Sequence, residues 1–140
     1  MTSQQAAEIV TTTERLTEVV HYASEFRLVG LDIESNGFHR YPERICLVQM
    51  AVGGSVFLLD PLKTPDMSAL SHLLADPLVE KVLHSADYDL RSLDRDWGFQ
   101  ITNLFDTSIA AAFAGSTSLG LAAVLREYLG VEVPKSKRLQ

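Results

Sequence analysis

The chain has 140 residues, of which 46% are hydrophobic and 21% charged, and its formal net charge is −6. This length and composition predict a single globular domain over residues 1–140 with one hydrophobic core. The negative charge excludes a protein that coats nucleic acid by bulk electrostatics, but it permits a local site where metal ions offset clustered acids. No apolar run approaches the roughly 18 residues of a membrane span, so we expect no membrane partner.

The compartment is predicted from the N-terminus and from cysteine usage. The first residues, MTSQQAAEIV, do not show the basic and apolar regions of a signal peptide. The single cysteine, Cys46, lies inside the apolar run ICLVQM, so we expect a buried thiol in a reducing compartment. These features predict a cytoplasmic protein.

The chain begins with a predicted strand and helix. Residues 8–11 are typical of a short strand. Thr11 and Glu14 then fit a capping box, which predicts a helix that runs to about Ala23.

The next stretch, Phe26–Glu34, is apolar on both alternating faces and predicts a strand buried in the middle of a sheet. Asp32 and Glu34 lie on the same face because side chains alternate along a strand. Two acids at the end of a buried strand repel each other and lose hydration, so they favour a nearby cation. From this pair alone, the alternative is that both acids face solvent.

Two further strands complete a predicted three-strand meander. Residues 35–43 form a turn-rich loop, after which Arg44–Val52 and Ser55–Leu59 predict a hairpin with its turn at Gly53-Gly54.

The rest of the chain alternates helices and strands. In order, we predict a helix at Met67–Leu74, a strand at Glu80–Leu83 and a helix that ends at Gly98. A strand at residues 101–105 follows, and then a helix over Ile109–Phe113 capped by Asp106 or Thr107. The last predicted helix lies between Ser118 and Gly130. This order predicts an α/β fold with a mixed sheet and helices on both faces.

A third acid, Asp89, lies in the first turns of the helix after strand Glu80–Leu83. Open α/β folds build their sites at this carboxyl end of the sheet. The alternative is an exposed acid that the helix dipole favours.

Several motifs occur together in this sequence: VGLDIES, RICLVQMA, VLHSADYDL, FDTSIAA and LGVEVPKSKRL. With them the chain resembles the ribonuclease D family of DEDD 3′→5′ exonucleases, from about residue 8 onward. The resemblance implies a ribonuclease H-like fold, and it matches Asp32, Glu34 and Asp89 to three of the family's catalytic, metal-binding acids.

The resemblance also implies a reaction, the removal of nucleotides from a single-stranded 3′ end with release of 5′-monophosphates. Two divalent cations, Mg²⁺ or Mn²⁺, roughly 4 Å apart stabilise the attacking and leaving oxygens in such a hydrolysis. We assign Asp32 to both metals, Glu34 to the metal that carries the attacking water, and Asp89 to the leaving-group side. RNA is favoured over DNA by the resemblance alone.

One motif of the family is not matched. This is Tyr-x-x-x-Asp, which the family carries on a helix beyond the position of Gln140, and Tyr128 stands in the wrong context to replace it. Because this motif supplies a fourth ligand and a tyrosine that orients the water, we expect weak metal binding and poor catalysis from the 140 residues. Without that helix we also expect an exposed surface that favours homo-oligomers.

Two more residues are matched to substrate contacts. Phe38 stands where the family places an apolar side chain against the terminal base, the alternative being a loop aromatic packed on the core. His84 is assigned to the substrate by its family position, the alternative being a hydrogen-bonded structural imidazole. Two other classes of function remain open, a catalytically impaired module that binds nucleic acid or a partner, and a structural or oligomerisation domain with solvated acids.

Overall fold

The structure is a computed structural model that describes residues 6–37 and 42–134. Its strands are β1 (Glu8–Val10), β2 (Leu28–Asn36), β3 (Arg44–Val52), β4 (Ser55–Leu59), β5 (Glu80–Leu83) and β6 (Leu104–Asp106). Its helices are α1 (Thr13–Ala23), α2 (Ser68–Ala75), α3 (Asp87–Trp97), α4 (Thr107–Phe113) and α5 (Leu121–Leu129). No helix within these described ranges has the length and apolar content that crossing a membrane requires.

The strands of the described chain form a six-stranded mixed sheet in the order β1-β4-β3-β2-β5-β6. β2, β3 and β4 pair as an antiparallel meander, whereas β1 pairs with β4, and β5 with both β2 and β6, in parallel. The predicted mixed sheet and meander are therefore confirmed. The carboxylate strand β2 is central, as predicted, because β3 and β5 flank it.

One face of the sheet holds the hydrophobic core. Along β2, Val29, Leu31 and Ile33 are at most 7% exposed. They belong to one cluster with apolar side chains from α1, α2 and α3, such as Leu16 and Leu93. The cluster forms because each helix turns an apolar stripe toward the sheet; in α1 the stripe is Leu16, Val19, Val20 and Ala23.

The other face of β2 is open. Leu28 is 54% exposed, and Asp32 and Glu34 on the same face are exposed as well. The prediction that both faces of this strand are buried is therefore wrong, since α1, α2 and α3 all contribute to the core on the opposite face. α4 and α5 lie at the β6 edge, where they line an apolar cavity together with Phe105.

The predicted cap of α1 is also wrong by one residue. Thr12, not Thr11, is the capping residue, and its hydroxyl accepts a hydrogen bond of 3.1 Å from the backbone N–H of Arg15. Cys46 is half-buried rather than buried, with its Sγ 3.4 Å from the carbonyl oxygen of Glu34.

Two boundaries near the C-terminal end differ from prediction for local reasons. β6 begins at Leu104 rather than at residue 101, because the backbone N–H of Thr102 donates to the carbonyl of Leu74 at the end of α2 instead of to a strand. α5 begins after Gly120, which offers no side-chain cap, and not at Ser118.

Candidate active site

β2 presents Asp32 and Glu34 on its open face. Asp32 lies opposite Gln49 in the pairing with β3, and the register shifts directly after Glu34. Such a bulge often re-aims side chains next to a site. On the other side, β5 pairs with β2 only as far as Gly30, so both acids extend past the point where the chain leaves β5 and enters α3.

α3 brings Asp89 into the same cluster. This residue is 7% exposed. Burial, followed by the negative charges of Asp32, Glu34 and Asp106, raises the pKa of Asp89 to about 7. An acid that a helix dipole stabilises at the surface would have the opposite shift, so the dipole alternative for Asp89 does not fit. The three predicted acids therefore share one electrostatic environment.

The acid cluster has the donor chemistry of a divalent-cation site. In the ranges that the structure describes, the ion pairs involve other carboxylates, and none neutralises Asp32, Glu34 or Asp89. Mg²⁺ and Mn²⁺ prefer carboxylate oxygens, and a bound cation would relieve the repulsion that helps to raise the pKa of Asp89.

The side chains of the acid cluster do not converge on a single point. Among residues 6–37 and 42–134, no three His, Cys, Asp or Glu side chains converge closely enough to hold one ion. The residues thus fit a divalent cation by their chemistry and by their uncompensated charge, whereas their side chains lie in an open arrangement.

Asp106 adds a fourth carboxylate at this edge of the sheet. Its side chain caps α4 by accepting from the backbone N–H of Ser108 (2.9 Å), and it also accepts from those of Ser85 (3.0 Å) and Ala86 (2.8 Å). Burial alone would raise the pKa of Asp106, but these hydrogen bonds lower it to about 2. The predicted cap is confirmed, and the bonds to the β5–α3 turn are additional.

His84 has both ring nitrogens engaged inside the chain. Nδ1 lies 2.8 Å from Oγ1 of Thr107, and Nε2 lies 2.8 Å from the carbonyl oxygen of Leu119. This is the hydrogen-bonded imidazole that was the alternative for this residue. Its ring also lines a groove with Asp32, so a substrate contact of His84 stays a prediction. Phe38 lies outside the described residues.

The groove beside the acids has a volume of about 390 Å³ and is lined mainly by the open faces of β2, β3 and β5 together with Leu121 of α5. This volume is within the range of small-ligand sites. Gln49 projects into it next to Asp32, and it is not among the predicted site residues. The alternation of side chains along β3 can be read from the sequence, but the position of Gln49 opposite Asp32 depends on the register between β2 and β3.

Known proteins are similar to this chain in fold and in sequence. Ribonuclease D of Desulfotalea psychrophila is 38% identical over 131 residues, which cover 92% of this chain and 35% of that protein. The crystal structure of Escherichia coli RNase D, an exoribonuclease involved in structured RNA processing, matches with a TM-score of 0.88 and 32% identity over 97% of this chain and 36% of its own. Trypanosoma brucei RNase D in complex with RNA U12 matches with a TM-score of 0.80 and 25% identity, over 93% of this chain and 49% of its own.

The chain thus spans about a third of the length of the D. psychrophila protein and of the E. coli structure. A family model described as 3′-5′ exonuclease matches residues 7–140, which is nearly the whole sequence. On this match, the chain belongs to the 3′–5′ exonuclease family.

Proposed function

We propose that this chain carries three catalytic acids of a metal-dependent 3′→5′ exonuclease of the ribonuclease D type. Its substrate is single-stranded RNA, from which it releases 5′-monophosphates. The observation that carries the proposal is the cluster of Asp32, Glu34 and Asp89, in which the buried Asp89 is destabilised as an anion by burial and by its neighbours. The family match and the resemblance to RNase D structures support the same activity.

Asp32 and Glu34 would hold divalent cations from the sheet side, and Asp89 would hold them from α3. When bound, two such cations supply an activated water and stabilisation of the leaving 3′-oxygen. Asp32 lies on the central strand opposite Gln49 of β3, and we assign it as the ligand that both ions would share. Glu34, farther along the open face, suits the side of the attacking water, and Asp89 suits the leaving-group side.

The protonation of Asp89 sets a condition on this chemistry. A carboxyl group with a pKa of about 7 would have to lose its proton before it could hold a cation as a carboxylate. A cation favours the ionised form and therefore competes with the proton. Metal binding at this site should accordingly strengthen as the pH rises through about 7.

RNA is proposed as the substrate because of similar proteins that act on or bind RNA. Trypanosoma brucei RNase D is described in complex with RNA U12, and in this chain a groove of about 390 Å³ lies beside Asp32. His84 and Phe38 are proposed as substrate contacts, and the cytoplasm as the compartment. Incubation of RNA and of DNA of the same sequence with Mn²⁺, followed by identification of the products, tests the proposal. Release of 5′-monophosphates from RNA supports it, and internal cleavage contradicts it.

A second candidate is a catalytically impaired nucleic-acid-binding or partner-binding module of the same fold. The open arrangement of the acids, which do not converge on one point within the described ranges, favours it. Fluorescence anisotropy with a labelled single-stranded RNA separates the two functions. The module binds the RNA without degrading it at any Mn²⁺ concentration, whereas the exonuclease binds it in EDTA and shortens it once Mn²⁺ is added.

A further inference from the structure

Asp106 accepts hydrogen bonds from two separate helix starts. Its Oδ1 accepts from the backbone N–H groups of Ser108 (2.9 Å) and Ile109 (3.4 Å) in the first turn of α4, and from that of Ser85 (3.0 Å). Its Oδ2 accepts from the N–H of Ala86 (2.8 Å). Both oxygens are therefore engaged by the backbone, which sets Asp106 apart from the three acids of the cluster.

The turn before α3 needs such a partner. The residue at the helix start is Ala86, whose side chain has no acceptor and makes no cap. Ser85, one residue earlier, has φ = +57°, a left-handed conformation that is unfavourable for a residue with a Cβ. The carboxylate of Asp106 on β6 thus accepts from the N–H of Ala86, one of the donors that a helix start leaves without an intrahelical partner, and from that of Ser85, and it holds the strained turn in place.

Asp89 depends on this turn. It lies three residues after Ala86, in the first turn of α3, so a shift of the helix start moves its carboxyl group relative to β2. The hydrogen bonds from the backbone N–H groups of Ser85 and Ala86 to Asp106 fix this turn, and with it the helix start that carries Asp89.

The contribution of Asp106 is one of position rather than charge compensation. Its negative charge adds to the destabilisation of ionised Asp89, so a neutral residue would relieve the cluster electrostatically. We infer that Asp106 is a positioning residue for the catalytic site: by joining the starts of α3 and α4, it holds Asp89 against Asp32 and Glu34. This inference rests on the proposed function, since it assigns Asp106 a task in the same metal site.

The test compares Mn²⁺ binding and RNA hydrolysis for Asp106→Asn and for a matched control. Asn keeps one oxygen that can cap α4, but it places an amino group where Ala86 needs an acceptor. Asp66→Asn is the control, because the carboxylate of Asp66 also accepts from a backbone N–H at a helix start, that of Ser68, the first residue of α2. Asp66 is not among the acids that act on Asp89.

We expect Asp106→Asn to weaken Mn²⁺ binding, measured by calorimetry, by about tenfold or more. At saturating Mn²⁺ it should lower kcat for RNA hydrolysis with little change in KM, because the misplaced group acts on the reacting centre rather than on the bound strand. Asp66→Asn should bind Mn²⁺ like the wild type. If Asp106→Asn does not fold, the double variant with Ser85→Gly, which removes the strain at the turn, provides the folded protein for the same measurement.

The outcomes separate this inference from the function on which it rests. Equal Mn²⁺ affinity and kcat in the wild type and Asp106→Asn overturn the positioning role and leave the metal site intact. A similar loss in Asp66→Asn overturns it as well, since it indicates general destabilisation. Absence of Mn²⁺ binding by the wild-type chain contradicts both the metal site and the positioning role.

Discussion

Replacement of Asp89 by asparagine should stabilise the metal-free protein at neutral pH and remove its stabilisation by Mn²⁺. The pKa of Asp89 is about 7 in the folded chain and 3.8 for an ordinary aspartate. Between these values the native state keeps a proton that the unfolded chain has lost. Because the unfolded state binds fewer protons in this window, the free energy of unfolding must fall as the pH rises from about 4 to about 7.

The magnitude follows from the size of the shift. About three pH units at 1.36 kcal/mol each correspond to a loss of up to about 4 kcal/mol by neutral pH. That is a large part of the 5–15 kcal/mol that typical domains have. The asparagine side chain in the variant is neutral at every pH and nearly the same size as protonated aspartate, so the variant should keep its stability across this range.

The assay is urea unfolding in EDTA at pH 5 and pH 8 for the wild type, Asp89→Asn and the control Asp94→Asn, whose carboxylate is exposed on the same helix. All other titrating groups contribute alike to each protein, so the difference between proteins isolates position 89. The wild type and the control should lose stability between the two pH values relative to Asp89→Asn. A parallel pH dependence of all three proteins would contradict the raised pKa of Asp89.

Three further predictions concern metal, acid and backbone. At pH 8, Mn²⁺ at about 100 times its Kd should stabilise the wild type by about 2.7 kcal/mol in a thermal melt and leave Asp89→Asn unchanged; equal shifts would contradict the metal assignment. The pKa of Asp106 is lowered from 3.8 to about 2. Ionised Asp106 therefore adds about 2 kcal/mol to the free energy of unfolding above pH 4, and this contribution disappears as the pH falls through 2. Acid unfolding of Asp106→Asn should not show that loss. Gly53→Ala should destabilise the chain by more than the roughly 1–2 kcal/mol of left-handed backbone strain, because a Cβ at this position meets the Phe26 ring and the Tyr22 hydroxyl. In the control Gly54→Ala the Cβ meets no neighbouring atom. Equal unfolding free energies of the two variants would contradict this prediction.

The local pattern of apolar and polar residues was sufficient to predict most of the helices and strands. The alternation along β2 placed Asp32 and Glu34 on one face, and the position of Asp89 at the start of α3 placed it at the same edge. These patterns involve neighbours in sequence, so they do not depend on how distant segments pack. The motifs added the family, which the comparisons confirm.

Features that depend on distant segments could not be predicted in this way. An apolar run does not distinguish a strand covered on both faces from one with an open face, so the exposure of Leu28 was missed. The bonds from Ser85 and Ala86 to Asp106 join segments about 20 residues apart, and the contact of His84 with Leu119 spans 35 residues. Each requires the folded arrangement of β5, β6 and α5.

The exonuclease activity is tested by degradation of a 5′-labelled single-stranded RNA in Mn²⁺. It compares the 140-residue chain and the same chain extended by a helix that carries Tyr-x-x-x-Asp, each with and without Asp32→Asn. We predict a ladder that shortens from the 3′ end, more rapidly with the extended chain, and a loss on the order of 100-fold or more on replacement of Asp32. Degradation at the same rate by Asp32→Asn, or RNA binding without degradation by both wild-type forms, would contradict a metal-dependent exonuclease that uses Asp32.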